Sequence, residues 1–311
     1  MQVLRRIPER ATQPSVLSIG NFDGVHRGHQ GLLDLLVERA RALDAAATVL
    51  TFEPHPREYF SPETAPTRLA SMRDKLLQLA AHGVDRAYVC RFDAGLAAMS
   101  AEDFVENMLV RGLDVRHLII GDDFRFGARR QGDFALLQRE GARAGFGVEA
   151  MPTLEHDGVR VSSSAVRAAL ADGALDRAAE LLGRPYSIAG RVVAGKQLGR
   201  SIAYPTANIA LRHRRPALTG VFAVAVEGLA PAPVAGIANL GSRPTVGGQC
   251  PNLEVHMLDW SAECYGAHLR VHFLHKLRDE ARYDSLDALK QQIRRDEAAA
   301  RAWFADHPLQ D

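Results

Sequence analysis

The 311-residue chain has little of what defines several large classes of protein. Its three cysteines, Cys90, Cys250 and Cys264, are too few and too scattered for a disulfide framework. No two of them form a Cys-x-x-Cys pair, which argues against structural zinc. No apolar run approaches the ~20 residues that a membrane span needs, and the N-terminal MQVLRRIPER lacks the apolar core of a signal peptide. These absences predict a reduced, soluble, cytoplasmic protein with no membrane partner.

The sequence also lacks an excess of charge of either sign. Lysine and arginine number 38, and aspartate and glutamate number 37, so no global attraction to nucleic acid or anionic membranes is expected. An anionic ligand must therefore be bound by a local site. The hydrophobic fraction of 47% suffices for a substantial core, and the length favours two domains over one.

Neither a Walker A sequence nor G-x-G-x-x-G occurs, so a phosphate would not be held as in P-loop or dinucleotide-binding proteins. The sequence has instead VLSIGNFDGVHRGHQG at residues 16–31. An apolar strand ends at Gly20, a polar turn runs from Asn21 to Gly28, and a helical pattern begins near His29. Backbone N–H groups and the positive end of the helix dipole meet at such a junction, which predicts a phosphate site.

Two histidines lie in this turn. His26 and His29 are one helical turn apart and can face the same ligand, while Gly28 leaves room for a phosphate to approach the backbone. The four residues H-x-x-H alone are equally compatible with two surface histidines. The preceding strand, Gly20 and Gly24, and the following helix favour the ligand site.

The first half of the chain predicts strands alternating with helices, and hence a parallel, doubly wound sheet. Ligands bind such sheets outside the carboxyl ends of the strands. Four polar clusters follow predicted strands: GNFDGVHRGH, EPHP, whose prolines stiffen the loop carrying His55, GDDFRFG, and VSSS followed by Arg167. This arrangement suits attack on an α-phosphate, because histidines, backbone N–H groups and Arg167 could stabilise the charge that gathers on the phosphoryl oxygens.

The second half changes character after Gly183 and Pro185. Short predicted strands are separated by glycine and proline, which is typical of a sandwich or barrel. A final helix begins after Ser285, its expected cap. The predicted strands are 186–193, 207–211, 221–226, 234–239, 253–260 and 269–274.

Two polar groups in this half can carry chemistry. Thr206 and Asn208 point to one face of an extended segment and offer oxygen ligands that suit Mg²⁺, although ordinary turn residues would give the same pattern. Glu254 shares a face with His256 and could be a general base toward a hydroxyl. A solvated outer face is the alternative there.

The ordered motifs resemble a known family. HRGH resembles the H-x-G-H motif of nucleotidyltransferases, and GNFDGVHRGHQ with TFEPHP, GDDFRFG and VSSSAVR resembles the adenylylating half of prokaryotic bifunctional riboflavin kinase/FAD synthetases. GKQLGRSIAYPTANI resembles the riboflavin kinase motif, which GVFAVAV, GIANLGSRPTVGG, LEVHMLDW and LRDEARYDSLDAL complete in order. Val161 stands where isoleucine is frequent, and Tyr204 stands where phenylalanine is usual.

The resemblance implies a fold and two activities. Residues 1–184 would form a Rossmann-like FMN adenylyltransferase domain, and residues 185–311 a riboflavin kinase domain, a six-stranded antiparallel β-barrel with a terminal helix. ATP would phosphorylate riboflavin to FMN and then adenylylate FMN to FAD, with Mg²⁺ as cofactor. The expected partners are therefore ATP, riboflavin and FMN, without nucleic acid, in a monomer or weak homo-oligomer.

The resemblance also assigns residues. His26 and His29 would contact the ATP phosphates, Arg167 would belong to a second phosphate motif, and Glu254 would be the catalytic base. The metal ligands would be Thr206 and Asn208. The other ligand-binding residues that it implies are Gly20, Asn21, Phe22, Asp23, Gly24, Gly28, His55, Asp123, Phe124, Ser162, Ser163, Ser164, Gly195, Lys196, Gly199, Arg200 and Pro205. The basic run RHRR at residues 212–215 is expected to be a solvated loop, with phosphate contact as the alternative.

Three alternatives remain at this point. The chain could be a kinase with an inactive first domain, although the intact HRGH and VSSSAVR argue against this. It could be a nucleotidyltransferase with a nucleic-acid-binding barrel, which the balanced charge and few strand aromatics weaken. It could also bind flavin without catalysis, a possibility that a turnover measurement would test.

Overall fold

The computed structural model describes residues 1–121, 123–194, 204–211, 215–245 and 248–309, with side chains described outside residues 242–250. The chain forms two compact units. The first comprises Met1–Pro66 and Met72–Ser162, and the second comprises Thr67–Ser71 and Ser163–Asp311. Gly195, Lys196, Gly199 and Arg200, which the sequence predicts as ligand-binding residues, lie outside the described residues, as do residues 212–214 of the RHRR run.

The first unit is built on a six-stranded sheet in the order β1-β4-β3-β2-β5-β6, with every neighbouring pair parallel. The strands are β1 Gln2–Leu4, β2 Ser15–Ile19, β3 Ala46–Glu53, β4 Arg86–Arg91, β5 Val115–Gly121 and β6 Gly147–Met151. The predicted parallel sheet is confirmed. Because β2 lies between β3 and β5, the chain reverses its direction of winding there, and the carboxyl ends of β2 and β5 flank the crevice where ligands bind in such folds.

Helices cover both faces of this sheet. They are α1 Arg27–Ala42, α2 Pro56–Phe60, α3 Met72–Ala81, α4 Ala94–Ala98, α5 Ala101–Asp103, which continues as a π-helix over Phe104–Gly112, and α6 Phe134–Ala144. Helix α1 buries Leu32, Leu33, Leu36 and Ala40 against one face, with Leu79 of α3 in the same core. The π-helix and α6 pack on the other face. The sheet is therefore doubly wound, as predicted.

Several local elements differ from the sequence prediction. The sequence predicts helices between the strands, but not that Phe104–Gly112 forms a π-helix. Its buried residues Phe104, Val105, Met108, Leu109 and Gly112 repeat every four positions, a spacing between the 3.6 residues of an α-turn and the wider π-turn. The loop predicted around His55 ends earlier, because Pro56 occupies the first turn of α2, where its missing N–H costs nothing. A small hairpin was also not predicted, formed by β7 Glu155–His156 and β8 Val159–Arg160.

The second unit contains a closed barrel in the strand order β10-β13-β12-β11-β14-β9, with antiparallel pairing throughout. Helices α7 Ser163–Ala171 and α8 Leu175–Leu182 precede it. The strands are β9 Ser187–Val193, β10 Ala207–Ile209, β11 Gly220–Glu227, β12 Val234–Thr245, β13 Gly248–Met257 and β14 His268–Arg278. The predicted six-stranded antiparallel barrel is confirmed. The strand predicted to reach Trp260 ends at Met257, where the chain turns.

The terminal helix α9, Leu286–Asp306, packs on the outside of the barrel. The Ser285 hydroxyl accepts a hydrogen bond from the Ala288 N–H at 3.2 Å, which confirms the predicted cap. Trp303 and Phe304 pack against outward-facing apolar residues of β11 and β12. No helix in the described part of the chain is long and apolar enough to cross a membrane.

An ion pair fixes α9 to β14. The Arg278 guanidinium donates from Nε to Asp296 Oδ1 at 2.9 Å and from Nη2 to Oδ2 at 2.7 Å, and Gln292 donates to the same carboxylate at 2.8 Å. This hydrogen bond to Asp296 raises the pKa of Arg278 above its ordinary value. Because Asp296 is only 6% exposed, water replaces these contacts poorly when they are lost.

We therefore expect Asp296→Asn to lower the free energy of unfolding of the second unit by about 2–3 kcal/mol, since it leaves a partly buried guanidinium without its counter-charge. Urea unfolding followed by tryptophan fluorescence measures this unit alone, because both tryptophans, Trp260 and Trp303, belong to it. Asp306→Asn, at the exposed end of the same helix, is the control. A change below about 0.5 kcal/mol in Asp296→Asn would contradict the expectation.

Candidate active sites

The turn between β2 and α1 has an unusual backbone. Phe22 has φ +46° and Val25 has φ +41°, a region that bulky and β-branched residues rarely occupy, and Gly24 lies between them at φ +82°. Phe22 is 1% exposed and Val25 is fully buried, so packing holds the backbone in this conformation. Such locally strained turns, when the surrounding structure fixes them, are concentrated at functional sites.

Helix α1 begins at Arg27, two residues earlier than the sequence predicts. His26 is its N-cap, and Nδ1 of that ring accepts a hydrogen bond from the His29 N–H at 3.3 Å. Gly28 consequently lies in the first helical turn. No acidic residue occupies that turn, and the positive end of a helix dipole favours an anion.

The two histidine rings are stacked, with centroids 3.7 Å apart and an interplanar angle of 19°. Burial lowers the pKa of His29 well below its ordinary value, and the nearby charges of His26 and Lys75 lower it further. His29 is therefore uncharged at neutral pH. Its Nδ1 is buried and has no hydrogen-bond partner within the described part of the chain, which is the condition expected of a group that bonds to a ligand.

These residues face a cavity of about 250 Å³ in the first unit. Predicted ligand-binding residues form much of its wall: Gly20, Phe22, His26, Gly28, His29, Asp123, Phe124 and Ser162. They come from the carboxyl ends of β2 and β5, from the start of α1 and, for Ser162, from the residues between β8 and the helix that begins at Ser163. Three polar clusters that are distant in the sequence therefore meet at one edge of the sheet.

Gly28 lies against the histidines. A Cβ atom there would be 3.2 Å from Nδ1 of His26 and 3.4 Å from the Val161 carbonyl oxygen, both tight contacts. Glycine thus allows the His26 ring to pack closely against the first turn of α1, and the approach of a phosphate at this position stays a prediction. Gly20 is similarly close to Phe22, whose ring would be 3.1 Å from an added Cβ.

Sequence reasoning missed part of the cavity wall. Arg160 of β8 forms an ion pair with Asp123 at 3.0 Å, and both side chains are largely exposed, so the pair contributes little to stability. A basic residue two positions before the serines was a signal that could have identified Arg160. The other lining residues that were not predicted are mostly apolar: Ile19, Leu32, Gly121, Met151, Pro152, Thr153, Leu154 and Val161.

Other predicted residues of the first unit support the turn or lie beside it. Asn21 and Asp23 belong to the turn itself, where Asp23 is 5% exposed. The Asn21 side-chain oxygen is buried and has no hydrogen-bond partner in the ranges that the structure describes. His55 is the N-cap of α2 and accepts a hydrogen bond from the Arg57 N–H at 3.0 Å.

Ser163, Ser164 and Arg167 lie on α7, which clusters with the second unit. Nε of Arg167 donates a hydrogen bond to the carbonyl oxygen of Thr67, also in that unit. The serines of VSSSAVR, which the resemblance implies to be a second phosphate motif, therefore span the division between the two compact units, after Ser162.

In the barrel, strand register brings the predicted kinase residues together. Asn208 of β10 is directly opposite Glu254 of β13, and Glu254 is directly opposite Asn239 of β12. Directly opposed residues have Cβ atoms about 5 Å apart and point to the same face of a sheet. Thr206 immediately precedes β10, so a hydroxyl, two amides and a carboxylate share one region of the barrel. Sequence reasoning did not identify Asn239.

The face that carries this row is the outer one. Leu253 and Val255 are fully buried in the barrel, whereas the intervening Glu254 and the following His256 are half-buried. The alternation predicted for this strand is therefore confirmed. Asn208 is 9% exposed, so its amide lies in a sheltered position beside the carboxylate of Glu254.

The fold and the sites together define a class of protein. A nucleotidyltransferase-type sheet carries the H-x-G-H turn, and a separate antiparallel barrel carries P-T-A-N opposite a glutamate. A family model for FAD synthetase matches residues 9–165, and one for riboflavin kinase matches residues 182–304. The chain belongs to the bifunctional riboflavin kinase/FMN adenylyltransferase family.

Whole-chain relatives agree with both matches. The bifunctional riboflavin kinase/FMN adenylyltransferase of Escherichia coli K12 is 49% identical over 307 residues, with 98% of each chain covered. That of Pseudomonas fluorescens is 51% identical over 291 residues, with 93% of each covered. A crystal structure of a macrolide-efflux protein from Streptococcus pneumoniae is 27% identical, with a TM-score of 0.83 over 97% of this chain and 100% of that one. Shared fold does not transfer the efflux function in that name.

Proposed function

We propose that this chain makes both flavin cofactors, phosphorylating riboflavin to FMN and adenylylating FMN to FAD. The observation that carries the proposal is the presence, in one chain, of an FAD synthetase match with an H-x-G-H cavity and a riboflavin kinase match with Asn208 opposite Glu254. A kinase with an inactive first domain would not need the intact cavity. A nucleic-acid-binding barrel is disfavoured by the kinase match over that barrel.

In the first reaction, Glu254 would accept the proton of the ribityl 5′-hydroxyl of riboflavin. The oxygen attacks the γ-phosphate of ATP, a new P–O bond forms, the bond to the β-phosphate oxygen breaks, and FMN and ADP leave. The position of Glu254 supports this role, because the carboxylate lies between two amides on one face of the barrel.

Mg²⁺ fits the residues around Glu254. The Thr206 hydroxyl and Asn208 amide oxygen are hard donors of the kind that Mg²⁺ prefers, and Asn208 is sheltered from solvent. We propose these two residues as its protein ligands. When bound, the metal would neutralise charge on the β- and γ-phosphates. Pro205 would fix the backbone between Tyr204 and Thr206.

In the second reaction, a phosphate oxygen of FMN attacks the α-phosphate of a second ATP, and pyrophosphate leaves. The nucleophile is already ionised at pH 7, so no strong base is needed and catalysis depends on positioning and charge stabilisation. His26, His29 and the first N–H groups of α1 would bind the phosphates. Ser164 and Arg167 are proposed, from the resemblance alone, to contribute the second phosphate motif of this reaction.

The remaining features of the proposal concern the whole chain. The FAD synthetase match ends at residue 165, and the riboflavin kinase match begins at residue 182. We place the boundary between the two functional domains between residues 184 and 185, next to the start of the second match. We expect a monomer or weak homo-oligomer in the cytoplasm, where ATP is supplied, with small-molecule substrates and no nucleic-acid partner.

Product analysis tests the proposal. The purified chain is incubated with riboflavin, ATP and Mg²⁺, and flavins are separated by chromatography while pyrophosphate is measured. We expect FMN to appear first and FAD to follow with one pyrophosphate per FAD. Accumulation of FMN without FAD would reject the adenylyltransferase activity, and unchanged riboflavin would reject both activities.

A further inference from the structure

The segment carrying Thr206 is held by a side chain outside the proposed catalytic set. Nδ1 of His256 lies 2.9 Å from the carbonyl oxygen of Pro205, and because a carbonyl only accepts, the imidazole donates. The two residues are 51 positions apart in the sequence. The ring of Tyr204 meets the same imidazole edge-on, with centroids 5.3 Å apart and an interplanar angle of 66°.

This contact holds a part of the backbone that the β-ladder does not reach. Strand β10 has only three residues, and its pairing with β13 begins at Ala207 opposite Val255. Thr206 lies just before the ladder, and Pro205 has no N–H to extend it. Beyond the end of the ladder, the side chain of His256 therefore supplies a hydrogen bond between the two chain segments where no backbone pairing of β10 with β13 is present.

The position of His256 links this contact to the reacting groups. It follows Glu254 by two residues on the same strand and therefore points to the same outer face. The buried residues on either side of Glu254, Leu253 and Val255, fix the strand in the barrel core. One rigid strand thus carries both the proposed base and the donor that holds the neighbouring ligand segment.

The start of the segment carries a tyrosine whose electrostatic surroundings include the terminal helix. Burial raises the pKa of Tyr204, the Glu297 carboxylate of α9 raises it further, and Arg294 of the same helix opposes this change. The Glu297 carboxylate itself accepts a hydrogen bond from Nε of Arg301 at 3.0 Å.

We propose that His256 is a positioning residue of the kinase site, which holds the Pro205 carbonyl so that Thr206 and Asn208 bind the metal–phosphate end of the nucleotide beside Glu254. This inference rests on the proposed kinase function. It predicts that loss of the Nδ1 donor weakens the binding of ATP with Mg²⁺ and leaves the binding of riboflavin intact.

Two amide substitutions separate the donor from the bulk of the ring. In His256→Asn the amide nitrogen can occupy the position of Nδ1 and donate to Pro205, whereas in His256→Gln it lies farther out, near the position of Nε2. We expect His256→Gln to raise the KM for ATP, and the Kd for ADP with Mg²⁺ measured by calorimetry, by roughly tenfold, the effect of one hydrogen bond. His256→Asn should stay within about threefold of the parent chain for both quantities.

Further measurements exclude a merely structural effect. The KM for riboflavin, and FAD formation from supplied FMN, should be unchanged in both variants. His268→Gln, at an exposed histidine of the same barrel, is the control and should alter none of these quantities. Equal behaviour of His256→Asn and His256→Gln, or a parallel rise in both KM values, would overturn the proposal. Calorimetry with ADP and Mg²⁺ tests it even if the chain forms no FMN, so its failure is distinguishable from failure of the proposed function.

Discussion

His29→Ala is expected to lower the rate of FAD formation from FMN by about 10²- to 10³-fold and to leave the rate of FMN formation from riboflavin unchanged. The magnitude is that of removing one preorganised donor from a developing phosphoryl charge. The selectivity follows from the position of His29 in the first unit, whereas Glu254 and Asn208 belong to the second.

The properties of His29 explain why a large effect is expected. Its Nδ1 is buried and unpartnered among the described residues, and burial together with His26 and Lys75 keeps the ring uncharged at neutral pH. An uncharged, desolvated imidazole is held in place before the substrate arrives, so little reorganisation opposes its bond to a phosphoryl oxygen. The stacked His26 ring fixes its orientation.

The experiment compares two single-activity assays. FMN and ATP are supplied for the adenylyltransferase assay, and riboflavin and ATP for the kinase assay. His82→Ala is the matched control, because that histidine lies after α3 in the same unit and does not line the cavity. A His29→Ala variant that forms FAD within threefold of the control would show that the ring makes no contact important to the transition state.

Much of the first unit could be predicted because its sequence signals are local. Helix α6, Phe134–Ala144, continues the predicted alternation of strands and helices, and the polar clusters fall at strand ends because each follows an apolar run. Pro56 misled the prediction, since proline both ends strands and begins helices. The cavity wall formed by Met151, Pro152 and Leu154 has no chemical signature in the sequence and is defined only by the fold.

The kinase site was harder to predict because it depends on strand register. The alternation in LEVHMLDW indicated which side of β13 carries Glu254, but it did not indicate which residues lie opposite. Asn208 and Asn239 are 46 and 15 residues away from Glu254 in the sequence, and only the ladders of β10 and β12 with β13 bring them beside it. The role of His256 likewise depends on where β10 stops pairing, a boundary that propensity does not fix.

The second large effect is expected from Glu254→Gln. This substitution keeps the size and hydrogen-bonding reach of the side chain and removes its capacity to accept a proton at neutral pH. We expect FMN formation to fall by about 10²- to 10⁴-fold, the range attributed to a positioned general base. FAD formation from supplied FMN should be unchanged, because that reaction uses a nucleophile that is already ionised.

The split between kcat and KM identifies what the carboxylate does. If Glu254 accepts the proton of the ribityl hydroxyl, the loss lies in kcat, and the KM values for riboflavin and ATP change little. If it mainly binds the metal, the KM for ATP rises instead. Glu263→Gln, at an exposed carboxylate of the same unit, is the control and should behave as the parent chain. Loss of both activities in Glu254→Gln would contradict two independent sites, and an unchanged kinase kcat would remove Glu254 from the mechanism.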